Sequence, residues 1–313
     1  MSKKNQLLTE LKRANRKAGG AHLTIQASDR HVKLFVDHCA DQGFGLETVD
    51  QIKTKHIVSF AEFLKASDRS PRTIHNIVAS IRSALRAAGK NLKNMHITKN
   101  KELGLAKGDR KGKKEPFPDA VLFQLLILLA ASDIGLFAAI AFERFLGLRG
   151  MEAIRSHQSL ATWRRELDAN QPLSVTFGTK GGKPRKVFVH PKNVIWLRLA
   201  FDAVKELARA GRSPLIDAPT LKQAVRRYRY QCETIGLVGR YAPHSLRYRY
   251  SIEILEYLLQ QGYSEREALA MVGMNLGHGD SRGRWVKSVY ARSMMETDRS
   301  STDQSRKEPD EAQ

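Results

Sequence analysis

Arg149, His244, Arg247 and Tyr290 are residue types that together could open a phosphate diester without a metal ion. A tyrosine phenolate is a nucleophile that would leave a covalent phosphotyrosine. Each arginine offers a planar fork of N–H donors to the non-bridging oxygens, and the imidazole adds a donor that can also move a proton. His244 and Arg247 stand three apart directly after Pro243, so they share one face of a helix start, where the dipole also favours an anion.

Taken singly, each of these residues has a plainer reading. Arg149 follows Leu146-Gly147-Leu148, and Glu152, three residues on, is a natural ion-pair partner in a common and weak arrangement. His244 could be a satisfied surface histidine, and His278 in Leu276-Gly277-His278-Gly279 a loop residue. Lys180 lies in a turn rich in glycine and base, Gly178 to Arg185, where exposed lysines are ordinary. All eight tyrosines fall between Tyr228 and Tyr290, and composition does not tell which would be a nucleophile.

The whole chain points to a polyanionic partner. Of its 313 residues, 53 are Lys or Arg and 32 Asp or Glu, a net charge of +21 that exceeds what solubility alone requires. An anionic membrane is the lesser option, because the start MSKKNQLLTELKR is charged almost from its first residues and neither a lipidation signal nor a signal peptide is evident. Cys39 and Cys232 are far apart and lack zinc-type spacing, so neither a disulfide scaffold nor a metal site is expected, and a cytoplasmic location fits. The most apolar stretch, Ala120 to Leu148, contains Gln124, Asp133, Glu143 and Arg144, and reads as two buried core helices broken at Ser132-Asp133.

The elements that must position these residues are mainly helical, with one small β-hairpin. Residues 1–96 are expected to form a helical domain. Its clearest helix starts at Ser70-Pro71 and ends near Gly89, with Ile74, Ile77, Val78, Ile81 and Leu85 on one face, after a helix over Thr54 to Ala66. Arg72, Arg82 and Arg86 fall off that apolar face and are expected to be free for solvent or phosphate. Residues 97–118 are expected to be a basic linker. From Lys90 to Lys114 nine Lys/Arg face only Glu102 and Asp109, and Lys107, Arg110, Lys111, Lys113 and Lys114 would lie along a nucleic-acid backbone. A merely solvated linker is the alternative.

In residues 119–292 two β-rich runs, Pro172 to Phe177 and Lys186 to His190, flank the basic turn as a hairpin with a cationic tip. Helices are expected over Asn193 to Ala210, Thr220 to Ile235, Ser245 to Gln261 and Ser264 to Leu276. Residues 293–313 read as a disordered polar tail.

In their joint order, Arg, a lysine hairpin, His-x-x-Arg, Leu-Gly-His and Tyr, these parts resemble the tyrosine recombinase (phage integrase) family over about residues 20 to 292. The resemblance implies a helical, SAM-like core-binding domain joined to an α+β catalytic domain that clamp DNA between them. Gly147-Leu148-Arg149 with Glu152 matches the family's Gly-Leu-Arg-x-x-Glu element, which implies that Arg149 is the first catalytic arginine and Glu152 its supporting carboxylate. Lys180 in Thr179-Lys180-Gly181-Gly182-Lys183 would protonate the leaving 5′-oxygen, with Lys183 as the competing choice. His244 and Arg247 match His-x-x-Arg, His278 takes the place of the second histidine, and Tyr290 falls where the nucleophile belongs. From Arg247 to His278 is 31 positions and from His278 to Tyr290 is 12, both longer than in compact members, which marks a divergent subgroup.

The implied activity is site-specific recombination of double-stranded DNA through a 3′-phosphotyrosine, with no cofactor, by a homotetramer on synapsed sites in the cytoplasm, associated with the nucleoid. A non-catalytic DNA-binding protein with a recombinase fold and a type IB topoisomerase-like relaxing enzyme are the alternatives.

Overall fold

The computed structural model describes residues 2–107, 114–211 and 214–290, and the chain divides into two units, Met1–Arg110 and Lys111–Gln313. Arg110, Lys111, Lys113 and the expected tail lie outside the described residues.

The first unit is built from α1 (Lys3–Ala18), α2 (His22–Asp41), α3 (Thr54–Ala66) and α4 (Pro71–Ala87). In α4 the Ser70 hydroxyl accepts from the Thr73 N–H while Pro71 occupies the first turn, so the expected start is realised. Ile74, Ile77, Val78, Ile81 and Leu85 are buried as their spacing requires. Helix α1 was not singled out from the sequence, yet it buries Leu7 and Leu11 at i, i+4 against this core.

Two expectations are corrected here. Arg82 is buried, not free: its guanidinium donates to the carbonyls of Ile97 and Lys99 and to Asn100 Oδ1. A buried charge must be met by acceptors, and the chain after α4 folds back to supply them. For the same reason the segment from residue 97 onward is not all linker, since Ile97, Leu103 and Leu105 pack into the first core. The residues 97–105 therefore belong to the first unit rather than to a connection.

The second unit contains α5 (Asp119–Ser132), α6 (Ile134–Leu146), α7 (Gly150–Ile154), α8 (Leu160–Asp168), β1 (Leu173–Val175), β2 (Arg185–Val187), α9 (Val194–Arg209), α10 (Leu221–Thr234), α11 (His244–Gln260), α12 (Glu265–Asn275) and α13 (Gly283–Val289). Its axis is α6, buried from Gly135 to Leu146 and packed against α5, α7, α9 and α11. Helix α5 differs from expectation: Leu122, Leu126 and Leu129 face the core, whereas Ile127 and Leu128 are 65% and 67% exposed. Composition alone does not separate a one-sided apolar helix from a buried one.

A buried ion pair ties α6 to α11. Arg144 donates at 2.8 Å to Glu253, with side chains 1% and 2% exposed, and Asn193 and Lys192 also donate to Glu253. Removing one partner of such a pair costs about 3–5 kcal/mol, because the other charge is left buried. Strands β1 and β2 pair antiparallel over three residues each, Leu173 with Val187, Ser174 with Lys186 and Val175 with Arg185. The second strand thus begins one residue earlier than expected and ends at Val187, while the first is shorter than expected at both ends.

Candidate active site

Four pieces of chain bring the expected residues together within the second unit. The first is the turn between α6 and α7. Gly147 has φ 57°, a left-handed conformation, and a Cβ there would overlap the Tyr250 ring, so only glycine makes this turn. The turn delivers Arg149 to the N-cap of α7, where its backbone N–H donates to Glu152 Oε2 at 2.8 Å and its Nη1 to Glu152 Oε1 at 2.8 Å.

The second piece is the start of α11. His244 and Arg247 share a face there, as their spacing requires, and Arg247 is fully buried. Its two terminal nitrogens donate to the carbonyls of Gly147 and Leu276, and its Nε lies 3.4 Å from the Tyr290 hydroxyl. The expected open fork of Arg247 is therefore largely engaged by backbone, and the Nε edge is the one turned to the reacting position.

The third piece is the C-terminal end of α12, whose carbonyls hold three guanidiniums. Leu276 O accepts from Arg247 and, at 3.0 Å, from Arg149, while Asn275 O accepts from Arg185 Nε at 2.7 Å. The negative end of a helix dipole and a carboxylate offset the mutual repulsion of such cations. That carboxylate is Glu152, which Arg185 engages through both oxygens at 2.6 and 2.7 Å. Burial pushes the Glu152 carboxyl up, but the hydrogen bonds and charge of Arg185, followed by Arg149, outweigh it and hold the group below the usual carboxylate range.

The fourth piece is α13, which ends at Tyr290. The Tyr290 backbone N–H donates to Val286 O, and its ring lies among Tyr248, Trp285 and His244 at centroid distances of 4.5, 5.4 and 6.0 Å. The Tyr290 hydroxyl is 3.4 Å from His244 Nε2, long for a hydrogen bond but within the distance that a bound ligand could tighten. Burial, then the charges of Arg247, Arg149 and Lys114, pull His244 down to about 4, so at neutral pH it is an uncharged imidazole with one ring nitrogen free to accept. It can accept a proton from the phenol if its own proton sits on Nδ1. His278, packed at a tilt against Trp285 with ring centroids 4.2 Å apart, is likewise lowered, to about 3, by burial and then Arg247, Arg149 and Arg185. Its Nε2 is buried and has no hydrogen-bond partner among the described residues.

Arg149, Glu152, His244, Arg247, His278 and Tyr290 are thus one cluster. Lys180 is apart from it, on an exposed turn at the hairpin tip, as is Lys183, and neither makes an ion pair or hydrogen bond among the described residues. Lys114 donates to the Gly239 carbonyl beside the start of α11. In the first unit Arg72, Arg86 and Lys107 are exposed. Arg185 was not singled out from the sequence, where it read as the last residue of a basic turn. Strand alternation could have found it: Arg185 and Val187 lie on one face of β2, and Val187 is fully buried, so a charge two residues earlier needs a partner inside.

Comparison with known proteins places the chain in a family. The Phage integrase, N-terminal family matches residues 1–94 and the Integrase family residues 104–253, together most of the chain. No curated protein matches the sequence. Among solved structures, the Tn1549 transposon integrase in complex with transposon right end DNA is similar at 15% identity and a TM-score of 0.55, covering 93% of this chain and 99% of that one. A lambda integrase tetramer bound to a Holliday junction is similar at 17% identity and a TM-score of 0.54, covering 88% of this chain and 77% of that one. At such identities the likeness is one of fold. With both domain families matched in order along its length, the chain belongs to the phage integrase family of tyrosine recombinases, proteins of DNA recombination and integration.

Proposed function

We propose that the protein is a site-specific DNA recombinase that cuts and rejoins DNA through a 3′-phosphotyrosine. The observation that carries this reading is the convergence of Arg247 Nε and His244 Nε2 on the Tyr290 hydroxyl, each at 3.4 Å, beside Arg149. Tyr290 Oη attacks the scissile phosphorus as its proton passes to His244 Nε2. The bond from phosphorus to the 5′-oxygen breaks, and Lys180 supplies the proton that makes a free 5′-hydroxyl. Arg149 and Arg247 stabilise the charge gathering on the non-bridging oxygens, which is the larger part of such catalysis. Rejoining is the reverse, with a 5′-hydroxyl of another strand as the attacking group.

In the first unit Arg72, Arg86 and Lys107 are proposed phosphate contacts, since exposed cations on a chain of charge +21 suit a DNA backbone. By fold analogy with the lambda integrase tetramer, a homotetramer on two DNA sites is the proposed assembly.

The test uses nicked duplexes drawn from DNA flanking the coding region, in which cleavage releases a short fragment and traps the covalent intermediate. The wild type should yield a protein–DNA adduct stable to denaturant, and Tyr290→Phe should yield none while binding the same DNA nearly as well. An adduct from Tyr290→Phe would move the nucleophile elsewhere, with Tyr263 next to be tested. Binding without an adduct from the wild type would favour the non-catalytic reading.

A further inference from the structure

Arg185 makes contacts that neither its place in a basic turn nor the proposed chemistry accounts for. Its side chain is 6% exposed, it engages both oxygens of Glu152 at 2.6 and 2.7 Å, and its Nε donates to Asn275 O at 2.7 Å. Gly277, in the Leu-Gly-His turn, leaves the room for this: a Cβ on it would stand 3.0 Å from Arg185 Cδ, at a φ of 68°. Glu152, whose side chain is fully buried, therefore sits between two guanidiniums, since it also accepts from Arg149 Nη1 at 2.8 Å.

Without Arg185 the Arg149–Glu152 pair would carry no net charge, and a neutral pair is a poor partner for a phosphodiester. With it the trio keeps a net charge of +1, and Arg149 is its more open guanidinium, with a side chain 23% exposed against 6% for Arg185. We infer that Arg185 is a positioning residue, which holds Glu152 so that the carboxylate orients Arg149 without cancelling its charge toward the scissile phosphate. Arg185 itself, facing Glu152 and Asn275, makes no hydrogen bond with Tyr290 or His244 among the described residues. This inference rests on the recombinase reading above.

The experiment compares wild type, Arg185→Gln and Arg185→Lys on two nicked duplexes from the flanking DNA. One carries an ordinary scissile diester and the other a methylphosphonate there, which lacks the negative oxygen that Arg149 would face; total cleaved strand is scored. Arg185→Gln should cleave the diester on the order of 10²-fold more slowly, the scale of a misplaced catalytic group. On the methylphosphonate its deficit should shrink to a small part of that. Arg185→Lys keeps the charge without the fork and should recover part of the diester rate.

Equal losses on both duplexes would mean a merely structural role, and a wild-type rate on the diester would mean none; either overturns the inference. Thermal melting accompanies each assay, and if Arg185→Gln does not fold, the same diester-selective loss is required of Arg185→Lys. Cleavage by wild type on either duplex keeps the recombinase reading standing when the Arg185 result fails. A wild type that cleaves neither overturns that reading and the inference with it.

Discussion

In the proposed reaction the phenol proton passes to His244, and the setting of that residue makes a definite forecast. Its ordinary value of 6.5 is lowered to about 4 by burial and the neighbouring cations, so in the free protein the imidazole stays uncharged down to about that pH. Adduct formation at subsaturating DNA, which reports the free enzyme, should show no inflection between about pH 5 and about pH 7.5. A break near 6.5 would mean that His244 titrates as an open histidine and is not held as the structure has it. The leaving-group proton is the other residue-scale question. Lys180→Ala should lose cleavage of ordinary DNA and regain it on a substrate with a 5′-bridging sulfur, whose thiolate leaves without a proton. Should Lys183→Ala be the variant so rescued, the proton comes from the far side of the hairpin turn.

Among the elements, α6 carries the turn that delivers Arg149, and it holds a destabilising group of its own. Glu143 is 1% exposed, and among the described residues neither its Oε1 nor the Tyr228 hydroxyl beside it has a hydrogen-bond partner. Burial pushes this carboxyl from 4.5 up to about 8, so it is neutral in the folded protein at pH 7 and ionised in the unfolded chain. Stability must then fall as pH rises through that window and level off above it, because the unfolded chain binds fewer protons there. Glu143→Gln removes the titration. Its melting temperature should gain on that of the wild type between about pH 5 and about pH 8, and a gap that does not change with pH would sink the argument. Helix α12 shows the complementary case, in which an element is stabilised by the cations it positions, its last carbonyls being the acceptors for Arg149, Arg185 and Arg247.

For the molecule as a whole, charge is the quantity that governs partner binding. The excess of +21 implies that affinity for DNA falls steeply with salt, log K dropping by about 0.9 per phosphate contacted. Neutralising Lys107, Arg110, Lys111, Lys113 and Lys114 together should flatten that slope and weaken all sequences alike, since phosphate contacts carry no base information. Loss confined to one DNA sequence would instead set these residues against base edges. Arg82 does not belong in such a set, because its charge is used inside the first unit.

Local signals in the sequence determined a great deal. Ser70-Pro71, the apolar spacing in α4 and the break at Ser132-Asp133 are rules of backbone and periodicity that act over a few residues, and the helices follow them. The spacing of His244-x-x-Arg247 put those two on one face, because a helix start does so for i and i+3 whatever surrounds it, whereas a cluster with Arg149, His278 and Tyr290 was implied only by the family resemblance. Partners distant in sequence were decided only in three dimensions. Arg82 and Arg185 are ordinary basic residues by composition, and both are buried because carbonyls and a carboxylate from elsewhere in the chain meet them, Arg185 reaching 33 positions back to Glu152 and 90 forward to Asn275. The depressed imidazoles arise the same way: a histidine's proton affinity follows from the burial and cations that packing gathers around it, and no spacing along the chain encodes their sum.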